Sequence, residues 1–458
     1  MPLTFEEAVQ ALGTAAPEKR NGPAQVMIST DSRTLQNGET FLALRGERFD
    51  GHQFVDAALE RGAAALIVES PPKDAPSVPT LVVSDTLKAY MQLAAAERTK
   101  LRATVLAITG SNGKTTTKAL LGQLLQPKFG DALAISPANE NNEIGVSKLL
   151  LNAPADTRLI VVEMGARHYG DIAALVNIAR PQIGVLTNVR EAHLEIMESV
   201  QRLADTKWAL FSQGARAVLN SSDSVSLERA RMLQEPPRWF GSNDSALPAM
   251  HARERGVFLR SRKQLRIVEG DAESVYDVDV RLPGDYNLDN LAAAIAAAIE
   301  IGCEPQELID QLPNLTLPAG RYETIRIAKA PRIIFDAYNA SASGTIATLD
   351  AFAKEDARRR IAVLGSMAEL GAAAPELHQQ VGAHAAKIGI DYLLLGGDNA
   401  EDLQRGAQSA GFPRNRISRF HTAADAAKWI RENASSEDAV LLKASRRYRL
   451  EQVVEELR

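Results

Sequence analysis

One stretch, Ala103 to Thr117, constrains this chain more than any other: ATVLAITGSNGKTTT. A β-branched apolar run enters a glycine-punctuated turn, and KALLGQLL continues as a helix. A strand, loop and helix in that order bury the strand in a sheet and lay the helix across its face, which predicts a parallel α/β architecture. The glycines let successive backbone N–H groups turn inward on phosphate oxygens, and the helix start adds partial positive charge. Lys114 can then reach the β- and γ-phosphates, and the Thr115 hydroxyl can ligate Mg²⁺. The general phosphate loop asks for glycine at position 108, where Ile108 stands. The loop is therefore the shorter T-G-x-x-G-K-T form, spanning Thr109, Gly110, Ser111, Asn112, Gly113, Lys114, Thr115 and Thr116. With no N-K-x-D guanine-reading sequence in the chain, ATP is favoured over GTP.

Strand-like apolar runs alternate with helical patterns almost throughout, and three blocks emerge. Residues 1–84 hold FLAL, AALIVE and LVVSD; residues 85–315 begin with a helical connector (Thr86 to Lys100) and hold the phosphate loop. In that second block ATVLAIT, RLIVVEM, IGVLTNV and ARAVLN read as strands, a more β-rich stretch follows, and an alanine-rich helix spans about Asn287 to Ile301. The Pro- and Gly-rich LPNLTLPAGR leads into residues 316–458, where RIIFD, RIAVLGS, DYLLLGG and DAVLLKAS alternate with helices in a doubly wound pattern.

Composition excludes other classes. The 458 residues carry 52 Lys+Arg against 57 Asp+Glu, a formal net charge of −5, which argues against coating nucleic acid or an anionic membrane. The longest apolar run, Leu291 to Ile299, is far shorter than the roughly 20 residues of a spanning helix. The amino terminus lacks the basic and apolar regions of a signal peptide. Cys303 is the only cysteine, so an internal disulfide and cysteine-based zinc sites are excluded. A cytosolic monomer acting on small molecules is the simplest expectation.

In open α/β sheets ligands lie outside the carboxyl ends of the strands. Glu163, His193 and Asp336 occupy such ends or the loops just past them. Glu163 suits a hard cation. On the residues alone His193 reads first as a surface or hydrogen-bonding histidine, its neighbours Glu191 and Glu195 read equally as solvated charges, and Lys207, between apolar residues on a helix, reads as a snorkelling lysine. Asn287 and Asn290 are good helix caps, and Arg321 could be a solvated linker charge.

Taken with further motifs in order, these residues resemble the Mur ligase family, ATP-dependent amide-forming ligases of peptidoglycan synthesis. The motifs are Thr30-Asp-Ser-Arg33, Gly46-Glu-Arg-Phe-Asp-Gly-His52, Ser136 to Gly145, Val162 to Ala166, Glu191 to Glu195, Lys207, Gly284 to Asn290, Gly320-Arg321, Asp336 to Ala340, Val363 to Gly371 and Lys443 to Arg446. N-E-N-N-E-I-G, D-A-Y-N-A and L-G-x-M-x-E-L-G are most similar to the branch that joins D-alanyl-D-alanine to UDP-N-acetylmuramoyl-tripeptide. The D-N-P-R signature of the diaminopimelate- and lysine-adding branch is absent. Two positions depart from the family: Tyr286 stands for a usual His, and Ala444 for a usual Gly.

The resemblance implies a small N-terminal α/β UDP-binding domain, a central P-loop ATPase-like domain and a C-terminal Rossmann-like ligase domain. It implies that the acceptor carboxylate attacks the γ-phosphate of ATP and that the dipeptide amine then resolves the acyl phosphate. Lys114 and Arg321 would stabilise phosphoryl charge. Thr115, Glu163, His193 and a carbamylated Lys207 would hold or place Mg²⁺. Asn287 and Asn290 would lie by the base and Asp336 by the ribose. Asp31, Ser32, Arg33, Asp50, Gly51 and His52 would serve the UDP end, and Asn139, Asn142 and Asn339 the peptide or dipeptide. A sister ligase, a folylpolyglutamate-synthetase-like ligase and a non-catalytic ATP-binding scaffold are the rival readings.

Overall fold

The structure, a computed structural model, describes residues 2–15, 17, 22–46, 49–72, 77–190, 194–197, 199–242 and 255–458. Three sheets stack along it. The first is a four-stranded parallel sheet in sequential order, β1 (Ile28–Ser29), β2 (Thr40–Leu42), β3 (Ala65–Val68) and β4 (Thr80–Val82). Helix Thr86–Lys100 then carries the chain into the central body, and it belongs to both. Arg98, buried in this helix, donates from Nε to the Ala179 carbonyl at 2.8 Å, while Glu97 accepts the Leu3 N–H at 3.0 Å. The N-terminal and central parts consequently share one continuous apolar core.

The central sheet comprises β5 (Thr104–Thr109), β6 (Leu133–Ile135), β7 (Leu159–Glu163), β8 (Ile183–Leu186), β9 (Arg216–Asn220), β10 (Arg238–Gly241), β11 (Arg255–Ser261), β12 (Gln264–Glu269) and β13 (Ala272–Asp277). Its spatial order is β13-β12-β11-β10-β9-β8-β5-β7-β6, parallel except for the two antiparallel pairings that involve β12. After β5 the chain runs first to one side, through β6 and β7, and then crosses to β8 on the other. That reversal opens a crevice at the carboxyl end of β5, where ligands bind in such sheets. The alanine-rich helix, Tyr286–Glu300, covers this sheet and packs on helix Lys114–Phe129. Ala292 to Ala298 are fully buried, because methyl side chains let helix and sheet approach closely.

The third sheet holds β14 (Glu323–Ile325), β15 (Arg332–Phe335), β16 (Arg360–Leu364), β17 (Tyr392–Gly396), β18 (Ile417–Phe420) and β19 (Ala439–Lys443), in the order β14-β15-β19-β16-β17-β18. Only the edge strand β14 is antiparallel. Three α/β domains, with parallel sheets at their centres, are thus the architecture read from the sequence. Among the described residues no helix is long and apolar enough to cross a membrane.

A charge cluster staples the central sheet at the edge away from the crevice. Arg216, Arg238 and Arg255 each begin one of three adjacent parallel strands, and all three reach buried Glu300 at the end of the alanine-rich helix, at 2.8, 2.9 and 3.3 Å. Glu300→Ala leaves buried Arg238 beside two like charges, with only Glu269 among the described residues still paired to it. We expect it to cost about 3 kcal/mol of stability in urea unfolding.

Candidate active site

The phosphate loop is shaped by what lies beneath it. Gly110 (φ +148°) has no room for a side chain, since a Cβ there would stand 1.9 Å from Thr187 Oγ1. A Cβ on Gly113 (φ +84°) would meet Asn290 Oδ1 at 2.2 Å. The segment after β8 staples the loop from below. Ser111 N–H donates to the Asn188 carbonyl (2.9 Å), Asn112 N–H to Asn188 Oδ1 (3.1 Å), and Thr187 Oγ1 to the Asn112 carbonyl (2.6 Å). Helix Lys114–Phe129 then starts from Gly113 with no side-chain cap, so its first N–H groups are left for a ligand. Gly110→Ala should abolish nucleotide binding, measured by titration calorimetry, and should also lower the melting temperature, because the added Cβ has to displace buried Thr187.

Lys114 Nζ curls over this loop and donates to the Gly110 (2.7 Å) and Ser111 (3.2 Å) carbonyls. Burial lowers its pKa; the Glu163 charge opposes that shift and the Arg321 charge adds to it. Glu163 ends β7 and is held from three sides before any metal is considered. Its Oε1 accepts from Thr115 Oγ1 (3.2 Å) and Asn141 Nδ2 (2.9 Å), and its Oε2 faces Lys118 Nζ at 3.0 Å. Burial raises the carboxyl pKa, but Lys118, Lys114 and these hydrogen bonds outweigh it and keep the acid ionised. Lys207 lies in the last turn of helix Val200–Trp208 and is 1% exposed. Burial, reinforced by the Lys114 charge, pushes its pKa well below that of an ordinary lysine. No hydrogen bond or ion pair ties it to the described residues. A buried amine of this kind is not a snorkelling one. His193 lies outside the described residues, as does Glu191.

Across the crevice the third domain supplies the opposite wall. Asp336, just past β15, and Lys443, at the end of the adjacent strand β19, pair at 3.2 Å, and Thr348 Oγ1 donates to Asp336 at 2.6 Å. Lys443 also donates to the Asn339 carbonyl at 2.7 Å. Arg321 stacks over the Tyr338 ring, 4.5 Å from its centroid. A cleft of about 290 Å³ is lined by the loop residues from Ser111 to Thr116 together with Asn287, Asn290, Arg321, Asp336 and Asn339. Its charged lining is Lys114, Arg190, Arg321 and Lys443 against Asp289 and Asp336. An uncapped helix start and an excess of cations facing one cleft fit a polyanion.

Other expected residues fall elsewhere or are already engaged. Neither Asn287 nor Asn290 caps the alanine-rich helix; Asn290 donates to Asn287 Oδ1 at 2.9 Å, and Asn287 to the Pro283 carbonyl at 2.8 Å. Asn142 is the cap of helix Glu143–Leu151, accepting the Gly145 N–H at 3.0 Å, and Asn139 is exposed. Of that asparagine-rich segment it is Asn141 that reaches Glu163.

In the first domain Asp31 and Arg33 pair with each other at 2.7 Å, which holds the Asp31 carboxyl at about 2. Ser32 is buried. Asp50 accepts from the His52 backbone (3.0 Å) and contacts its ring Nδ1 (2.6 Å), and Gly51 packs on the Leu44 carbonyl where a Cβ would stand at 2.7 Å. These six lie after β1 and β2, at the carboxyl edge of their own sheet, and do not line the central cleft. Three residues of the main site went unassigned in the sequence. Lys118 is one helical turn from Lys114, Lys443 ends a strand beside Asp336, and Asn188 follows β8.

The chain matches three family models in succession: "Mur ligase family, catalytic domain" over residues 26–109, "Mur ligase middle domain" over 108–298 and "Mur ligase, glutamate ligase domain" over 320–446. A UDP-N-acetylmuramoyl-tripeptide–D-alanyl-D-alanine ligase from Synechocystis sp. is 35% identical over 436 residues, covering 94% of this chain and 91% of the relative. The chain belongs to the Mur ligase family. Among solved Mur ligases, a MurF from Acinetobacter baumannii superposes with a TM-score of 0.84 at 26% identity, covering 100% of this chain and 99% of that one. The MurF ligase of Thermotoga maritima, solved in complex with ADP, gives a TM-score of 0.78 at 28% identity, covering 94% and 96%.

Proposed function

We propose that this Mur ligase joins D-alanyl-D-alanine to UDP-N-acetylmuramoyl-tripeptide, consuming ATP and forming the pentapeptide precursor of peptidoglycan through an acyl phosphate. The cationic cleft between the phosphate loop and the third domain carries the reading, together with full-length similarity to ligases named for that reaction. A carboxylate is a poor acylating agent in water, so it has to be activated. The acceptor carboxylate attacks the γ-phosphorus of ATP and ADP leaves; the dipeptide amine then attacks the acyl carbon and inorganic phosphate leaves. Such transfer depends mainly on positioning and charge neutralisation.

In this reading the loop N–H groups and Lys114 hold the phosphates, and Arg321 and Lys443 close over them from the third domain. Asp336, paired with Lys443 at the cleft wall, meets the ribose in this reading. Asn290, seated against Gly113, supports the loop, and Asn287 lines the cleft beside it. The Thr115 hydroxyl and the ionised Glu163 carboxylate are hard oxygen donors that fit Mg²⁺, which typically takes one or two carboxylates plus substrate phosphates. When bound, Mg²⁺ neutralises phosphate charge. In this reading Lys207, its amine held toward the neutral form by burial, adds CO₂ and releases a proton to become an anionic carbamate beside the cations of the site.

The test is phosphate release by the purified protein with ATP, Mg²⁺ and UDP-N-acetylmuramoyl-tripeptide, with and without D-alanyl-D-alanine. Dipeptide-dependent phosphate and a product heavier by one dipeptide less water support the reading. Turnover with a single amino acid instead moves the assignment to a sister ligase.

A further inference from the structure

The tip of the phosphate loop is held across the cleft by the third domain. Asn112 Oδ1 accepts from Ser341 Oγ at 2.9 Å, and Asn112 Nδ2 donates to Ser343 Oγ at 3.1 Å. Ser341 also caps helix Ala342–Phe352, accepting the Gly344 N–H at 3.2 Å. Its hydroxyl proton therefore serves Asn112 while a lone pair serves the helix. On the other side Asn112 has little freedom, because Asn188 and Thr187 already bind its backbone N–H and carbonyl. The approach is close: a Cβ on Gly344 would stand 3.4 Å from Asn112 Oδ1. Other contacts between these two domains bypass the loop. Lys354 pairs with Asp285 at 2.5 Å, and Tyr322 meets Tyr286 edge-on at 6.4 Å between centroids.

We propose that Ser341 and Ser343 are positioning residues of the reaction, forming with Asn112 a latch that couples the seating of the third domain to the phosphate loop. Lys114 rides on that loop, whereas Arg321 and Lys443 belong to the third domain. The two sets of cations share one cleft only when the domains are seated, and the latch joins the loop itself to the third domain. The proposal rests on the ligase reading for its kinetic consequence but not for its geometry.

The test uses the full-length protein with Ser343→Ala, Ser343→Thr, Asn112→Ala and the double variant Asn112→Ala/Ser343→Ala. Ser343→Ala leaves the Ser341 cap intact, so the helix should stay folded. We expect kcat to fall about five-fold, the worth of one neutral hydrogen bond, with the KM for ATP nearly unchanged. Ser343→Thr, which keeps the hydroxyl, should restore it. The double variant should be no slower than Asn112→Ala, because both remove the same contact. In small-angle scattering with a non-hydrolysable ATP analogue, the wild type should compact and Ser343→Ala should compact less. Additive losses in the double variant, an unchanged kcat in Ser343→Ala, or equal compaction of both proteins would overturn the latch. Wild-type protein without dipeptide-dependent phosphate release would instead sink the ligase reading, and the scattering comparison would still judge the latch.

Discussion

Lys207→Ala should lower kcat by about three orders of magnitude, the scale of losing one preorganised electrostatic group in a water-excluded site. The physical basis is the side chain's burial: with 1% exposure and the Lys114 charge bearing on it, the amine is held toward its neutral form. Only a neutral amine can add CO₂. Lys207→Arg should be as inactive as the alanine variant, since a guanidinium stays charged and cannot form the carbamate. A small carboxylic acid added to Lys207→Ala should restore part of the rate by supplying the missing anion. Removing dissolved CO₂ from the wild type should slow it, and bicarbonate should bring the rate back. Steady-state kinetics on the three proteins tests this, and an active Lys207→Arg would show that the lysine serves as a cation.

The second large effect is expected at Lys114. Lys114→Met keeps the stem of the side chain and removes its charge, and kcat/KM for ATP should fall by about a thousand-fold. A further consequence follows from the same electrostatics. The Lys114 charge contributes to the lowered pKa of Lys207, so its removal should make Lys207 more basic and reduce its carbamylation at neutral pH. Intact-mass measurement of the two proteins, under native conditions with bicarbonate, would show less CO₂ adduct in Lys114→Met. Equal adduct in both would separate the two lysines.

Much of this architecture was legible because it is written in local pattern. The connector helix read from Thr86 to Lys100 spans those residues, and the alanine-rich helix read over about Asn287 to Ile301 runs Tyr286–Glu300. The long buried strands were found for the same reason: each is a continuous apolar run. The strands that escaped notice are short or carry polar residues. Leu133–Ile135 has only three residues, Arg238–Gly241 begins with the arginine that pairs with Glu300, and Ile417–Phe420, at the sheet edge, has two adjacent polar residues in its middle.

The site divides along a similar line. Sequence alone marked the strand–loop–helix form of the phosphate-loop pattern, because glycines, lysine and threonines in that order between a strand and a helix leave few alternatives. It determined the strand-end position of Glu163 and Asp336 as well. It could not show that Lys118 and Asn141 converge on Glu163, that Asn142 is spent on a helix cap, or that Lys443 pairs with Asp336. Nor could it show that Lys207 is stripped of water, or that Asn112 meets Ser341 and Ser343 more than two hundred residues away. Those facts depend on which strands lie side by side and which helix starts face each other. Local propensity acts over a few residues, whereas burial and charge pairing are set by the packed sheets and the seating of one domain on the next, and only the tertiary structure decides those.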